Sequence, residues 1–326
     1  MRHADPAAPG AEVRGPDGDL AEVLALDIGG TKTTAALVRI AADRSSAEVT
    51  SEVTVATPAR DGASAVLGAA LEAGERASSG SAGPVAVGLS SAGVVDVEHG
   101  LITHATSSLP GWPGTAIAPA FAERFGVPTR AMNDVHAHGL GEALFGVGRE
   151  AASLLLVAVG TGIGGAQVIG GAPITGSRGA AGHVGHVTVP EADGVPCTCG
   201  RTGHLEGLAS GPGILALASR LGAEPAHCAD GRALAAAART AAGPARDAYE
   251  LAGTATGRVI GSLLNVLDVE AVALAGGVVG ASDVWEDALH RGVAREAMDV
   301  VASTPVLPAR AGSRAALLGA AAWAID

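Results

Sequence analysis

Short apolar runs recur along this chain, and several of them end in a glycine-rich turn. Residues 23–27, Val-Leu-Ala-Leu-Asp, are an apolar run closed by a carboxylate and predict a buried strand. Gly29-Gly30-Thr31-Lys32 separates this run from a second one at 34–40, so the pair predicts a hairpin. A third strand is expected at 49–56 and a helix at 64–77, where good helix formers repeat with helical spacing. Residues 85–89 predict another buried strand leading into Ser90-Ser91-Ala92-Gly93. A helix at 115–125 and a short strand at 129–132 then reach Asn133-Asp134, followed by a helix at 135–144.

The pattern repeats in the second half. A strand at 153–159 meets the turn Gly160-Thr161-Gly162-Ile163-Gly164-Gly165, and a strand returns at 166–169. Helices are expected at 207–221, 231–242 and 245–267, a strand at 272–274 running into Ala275-Gly276-Gly277, and an Ala-rich helix at 313–325. Strands alternating with helices predict α/β layers, and two units of the same form predict two lobes with a cleft between them.

Composition narrows the class. The chain has 326 residues, 48% hydrophobic and 17% charged, enough apolar material for two sizeable cores. A net charge of −12 and no run of Lys or Arg argue against nucleic acid as a partner. No uninterrupted apolar stretch is long enough to span a membrane, and a cytoplasmic location is expected. Residues 1–20, rich in Pro, Gly, Ala and Asp, are expected to form a disordered tail. Three cysteines do not make a disulfide framework, and Cys228 is expected to be a small buried apolar residue.

The chemistry concentrates at a few places. His183 and His186, then Cys197-Thr-Cys199 and His204-Leu-Glu206, gather metal-ligating side chains in a Gly-rich stretch. His186, Cys197, Cys199 and His204 form a plausible four-ligand set for structural zinc. The two glycine turns expose successive backbone N–H groups suited to phosphate oxygens. Asp27 beside the first turn would repel phosphate unless Mg²⁺ stood between them. Lys32 adds a cation, and Thr31 and Thr161 add hydroxyls. Gly160–Gly165 also fits the dinucleotide fingerprint, but that motif needs a helix after the turn and a strand is expected here. Asp134, at a strand–helix junction, is a candidate proton acceptor or a simple helix N-cap. His136 and His138 are expected to be structural.

In order along the chain, Leu26-Asp27-Ile28-Gly29-Gly30-Thr31-Lys32, Asn133-Asp134, Gly160–Gly165, Gly182-x-x-Gly185-His186, Cys197-x-Cys199-Gly200 and Ala275-Gly276-Gly277 resemble the ROK family of bacterial sugar kinases and related repressors. The resemblance implies a two-lobed actin-like ATPase fold, ribonuclease H-like, with nucleotide and sugar meeting in the cleft. It implies a smaller lobe over 21–133 plus 311–326 and a larger one over 134–310 that carries the zinc loop. Asp27 would stand near Mg²⁺. Gly29, Gly30, Thr31, Lys32, Gly160, Thr161, Gly162 and Gly164 would hold the phosphates of ATP, and Gly276 and Gly277 would line the adenosine side. Asp134 would be the base. Gly93, Ser108, Asn133, Asp134, His183, His186 and Glu206 would surround the sugar. A homodimer is also implied.

This chain departs from the family pattern at three positions. His204 stands where a third zinc cysteine is usual, leaving a His₂Cys₂ set. His183 stands where glucokinases of the family carry a sugar-binding glutamate, and bacterial N-acetylmannosamine kinases are similar to this chain there. Ser108 stands in place of a sugar-binding asparagine and leaves extra room. A neutral imidazole can donate to an acyl oxygen, which favours an N-acylated hexosamine, N-acetylmannosamine first, with glucose as the alternative. A sugar-responsive repressor is the competing class. Its helix-turn-helix domain would need more than the residues preceding Val23 here.

Overall fold

The computed structural model describes residues 20–105 and 109–326. The expected tail lies outside them apart from Leu20, which already opens the first strand, and so does Ser108. In the first half, β1 (Leu20–Ile28), β2 (Lys32–Ala41) and β3 (Ala47–Ala56) form a meander, followed by α1 (Ala63–Ser78) and β4 (Ala86–Ser91). A small hairpin, β5 (Val94–Asp96) with β6 (Leu101–His104), precedes α2 (Ile117–Phe125), β7 (Thr129–Asn133) and α3 (Asp134–Phe145). The second half runs through β8 (Ser153–Val159), β9 (Ile163–Ile169), β10 (Ala172–Pro173), α4 (Leu205–Ala209), α5 (Gly211–Arg220), α6 (Gly231–Thr240) and α7 (Pro244–Leu267). It closes with β11 (Ala271–Ala275), α8 (Ser282–Glu296), β12 (Val306–Pro308) and α9 (Ala315–Ala324).

The two halves build the same sheet. Strand order is β3-β2-β1-β4-β7 in one and β10-β9-β8-β11-β12 in the other. In each, the first two pairings are antiparallel and the last two parallel. Both glycine turns therefore join the central strand of a sheet to its antiparallel neighbour. Ile163 begins a strand, so the dinucleotide motif lacks its helix.

Burial follows the apolar pattern. β1 is covered on both faces, as its near-continuous apolar run requires. Leu24, Leu26 and Ile28 pack with Val66, Ala70 and Phe121 of α1 and α2, whereas Val23 and Ala25 pack with Leu317, Ala320 and Ala321 of α9. β3, at the sheet edge, alternates exposed and partly buried residues, which suits an unpaired rim. α3 and α9 cross closely: a Cβ on Gly319 would overlap the Ala137 carbonyl, and one on Gly141 would overlap that of Ala315. α7 and α8 pack the same way, with Gly253, Gly257 and Gly261 against carbonyls of Trp285, Leu289 and Val293.

Local differences from expectation have physical causes. The helix expected at 207–221 is two helices that break at Ser210. Pro212 cannot continue the first, and the Ser210 hydroxyl caps the second by accepting from Gly213 N. α8 is not anticipated by the periodicity, because its apolar stripe of Val284, Trp285, Ala288, Leu289 and Val293 is interspersed with charged residues. Cys228 is half-buried against the second core, less enclosed than expected. Among the described residues no helix is long and apolar enough to cross a membrane.

Candidate active site and metal centre

The parallel strands of the first sheet deliver its acidic residues to one edge. Asp27 lies near the end of β1, Ser90 beside it near the end of β4, and Asn133 ends β7. Ser90 Oγ donates to Asp27 Oδ1 at 2.8 Å. Burial raises the Asp27 carboxyl above its ordinary range, and this bond opposes the rise.

Asn133, not Asp134, is the N-cap of α3. Its Oδ1 accepts from Val135 N at 2.9 Å and His136 N at 3.3 Å. Its Nδ2 donates to Gly93 O at 2.8 Å and to Asp134 Oδ1 at 2.7 Å. All four positions of the amide are thus used within the protein. Asp134, relieved of capping, is oriented by Asn133 Nδ2 and Val135 N. Burial, and then the charge of Asp27, push its carboxyl up to about 7. That places Asp134 near neutrality, where a proton acceptor works best.

The first glycine turn is closed by Gly29 N donating to Lys32 O at 3.1 Å, with Thr31 and Lys32 exposed. Thr57, unremarkable in sequence, anchors it: Thr57 Oγ1 donates to Gly29 O at 2.7 Å and Thr57 N to Thr31 O at 3.0 Å. The second turn lies beside Gly276 and Gly277, with Gly277 N 3.9 Å from where a Cβ on Gly160 would stand. Gly276 has φ 92° and no room for a side chain against Val159, so only glycine fits. Gly164 packs against Val135, which brings the start of α3 to this second turn.

The loop after β10 also reaches α3. His136 is fully buried, and its Nε2 lies 2.8 Å from Ala181 O, fixing the segment that leads to His183. His183 is exposed, and its Nδ1 lies 2.8 Å from Ala180 O. A carbonyl only accepts, so Nδ1 carries the proton and Nε2 of the neutral ring is an acceptor. Donation from this ring to an acyl oxygen, the expectation above, needs the other tautomer. His138 stands one turn beyond Asp134, partly buried, and burial lowers its pKa.

The four predicted metal ligands do converge. One ligand atom from each of His186, Cys197, Cys199 and His204 lies within 4.8 Å of the others. His186 Nδ1 and Cys197 Sγ are 3.6 Å apart, and His204 Nδ1 and Cys199 Sγ 3.2 Å. Tetrahedral zinc holds nitrogen and sulfur ligands about 3.5 Å apart, so the set fits that ion. Burial lowers the pKa of His186, which keeps its ring available as a ligand. Glu206, on the first turn of α4, is buried. Its Oε2 accepts from Ile163 N at 2.9 Å, and its Oε1 accepts from the Thr198 hydroxyl.

Comparison with known proteins places this architecture. The ROK hexokinase from Thermus thermophilus superposes with a TM-score of 0.80 at 32% identity, over 93% of this chain and 97% of that one. A ROK family glucokinase from Streptomyces griseus, solved with glucose and AMPPNP, gives 0.76 at 29% identity over 93% and 99%. The N-acetylmannosamine kinase of Shigella flexneri is 34% identical over 205 residues, 60% of this chain and 64% of that protein. The chain spans less than two thirds of the length of the curated relatives it matches. It has the two-lobed actin-like ATPase fold of its structural neighbours. The model of the ROK family matches residues 23–326, and the chain belongs to that family.

Proposed function

We propose that the chain is an ATP-dependent sugar kinase that phosphorylates the 6-hydroxyl of a hexose or N-acylhexosamine, N-acetylmannosamine first. The observation that carries this reading is Asp134, aimed by Asn133 and raised to about 7 beside Asp27. Its carboxylate accepts the proton of the 6-hydroxyl as that oxygen bonds to the γ-phosphorus of ATP. The bond from the γ-phosphorus to the bridging oxygen breaks, and ADP leaves with that electron pair. Asp27 would hold Mg²⁺, which supplies charge neutralisation of the phosphates. Gly29, Gly30, Thr31 and Lys32 on one side and Gly160, Thr161, Gly162 and Gly164 on the other would cradle those phosphates. Gly276 and Gly277 would face the adenosine. Zinc at His186, Cys197, Cys199 and His204 would hold the sugar side in shape.

The sugar would meet Gly93, Ser108, His183, His186 and Glu206, and Asn133, whose amide is fully used within the protein, would act on it through Asp134. The smaller lobe is taken as 21–133 plus 311–326 and the chain as a homodimer. The His183 tautomer changes how an N-acyl sugar is read. Its Nε2 accepts, so the partner is the amide N–H of an acetamido group and not its oxygen. The same acceptor also serves a plain hydroxyl, and this is what favours glucose as a second reading. The test is kcat/KM for N-acetylmannosamine, N-acetylglucosamine, glucose, mannose and fructose with ATP and Mg²⁺. N-acetylmannosamine should lead. A tenfold preference for glucose, about 1.4 kcal/mol of discrimination, would replace this assignment with a glucokinase. No turnover of any sugar would leave a sugar-binding relative without catalysis.

A further inference from the structure

The two glycine turns are alike in sequence but are held by different means. The first is anchored within its own sheet, by Thr57 at the end of β3. The second is gripped by every segment that carries a metal ligand. Gly185, beside His186, packs so tightly on Ile163 that a Cβ would overlap the Ile163 carbonyl. Thr198, between the two cysteines, donates its hydroxyl to Glu206 Oε1. Glu206, two residues after His204, accepts from Ile163 N at 2.9 Å through Oε2. The other end of the turn is held by the same stretch of chain, since Gly211 N donates to Gly160 O at 2.7 Å.

We infer that Glu206 is a positioning residue that links the metal loop to the second glycine turn, so that metal occupancy sets the order of the backbone at Ile163. The carboxylate is a strut with one oxygen on each side. A carboxylate is suited to this, because two oxygens on a short rigid fork can serve two separated donors at once. The Cys197 sulfur also lies 3.9 Å from Oε1. Thr198 is the hydroxyl donor that connects the metal loop to the carboxylate. A loop clamped at four ligands holds Thr198 in place, and Thr198 holds Glu206 against the turn. With the metal removed, the turn keeps its backbone bonds from Cys197 N to Arg201 O and from Gly200 N to Cys197 O, but the Thr198 end of the strut loses its four-ligand clamp. The first turn shares none of these contacts among the described residues and serves as an internal reference.

The strut does not depend on what the turn binds, but its effect on nucleotide rests on the phosphate-cradle reading above. Two measurements keep these apart. Amide hydrogen exchange reads the strut at Ile163 and the reference at Gly29, whose N–H is bonded to Lys32 O. Calorimetry with AMPPNP reads the nucleotide site. Zinc removal from the full chain by a chelator should speed exchange at Ile163 by about tenfold and leave Gly29 unchanged. Thr198→Val, with its zinc content measured as retained, should speed Ile163 exchange and weaken AMPPNP by about three- to tenfold. Thr198→Ser should restore both. Ile163 protection that is indifferent to zinc removal or to Thr198→Val would overturn the proposal. So would equal acceleration at Gly29, which would report general loosening. Failure of the wild-type protein to bind AMPPNP, with the exchange pattern as stated, would sink the kinase reading and leave the strut standing.

Discussion

In the proposed reaction Asp134 ties catalysis to pH through two neighbours, the protein that surrounds it and the Asp27 charge. Its raised pKa means the base is protonated, and idle, below about 7. kcat/KM should therefore fall about tenfold per pH unit below that point. Asp27→Asn removes the second cause, so the remaining activity should titrate at lower pH. Asp134→Asn should lower kcat about a thousandfold while keeping the bonds from Asn133 and Val135. The stability effect has the opposite sign. A carboxyl whose pKa is raised on folding stabilises the protein below the unfolded pKa near 3.8, and this is lost as pH rises through 7. Asp134→Asn should thus raise the Tm at pH 8, and the gain should shrink as pH falls towards 4. A profile flat from pH 5.5 to 8, or a Tm lowered at pH 8, would remove Asp134 from this role. Little of this is visible in sequence. Asn133-Asp134 stands out as a junction, but which residue caps α3 depends on side-chain rotamers. Ser90 and Thr57 matter only because strand register sets them beside Asp27 and Gly29.

The hairpins were legible because short apolar runs flanking a glycine turn have few other solutions, and both sheets kept them. Helices with interrupted apolar stripes were not, as α8 shows. Nor was the contact that holds it: Gly253, Gly257 and Gly261 look like poor helix residues in α7 until α8 is laid against them. A prediction separates the two meanings of a helical glycine. Gly257→Ala places a methyl into the Leu289 carbonyl and should cost about 2–3 kcal/mol by denaturant titration. Gly68→Ala, in the middle of α1 with nothing within 4 Å, should instead stabilise by roughly 0.5–1 kcal/mol. Similar values at both sites would mean that α7 and α8 are not in backbone contact. The metal loop lies between these extremes. Its four ligands were readable from residue type and spacing, whereas the Thr198–Glu206–Ile163 chain joins segments about forty residues apart and had no local signature.

At the scale of the molecule, a nucleotide between the two glycine turns and a sugar beside Asp134 would both draw the lobes together. AMPPNP should then tighten sugar binding, and sugar should tighten AMPPNP by the same factor. Calorimetry that finds the two ligands independent would exclude closure as the coupling element. The crossing of α9 over the first sheet has a different consequence, one that concerns time. Val23, Ala25, Val38 and Ile40 leave the ribosome long before the helix that covers them, which is made almost the full length of the described chain later. One face of the first sheet must therefore stay uncovered while everything between is translated. The first half cannot mature as a finished unit ahead of the second. Nascent chains of this protein should need shielding until α9 emerges, and a ribosome that stalls before Ala315 would release an apolar sheet open to aggregation.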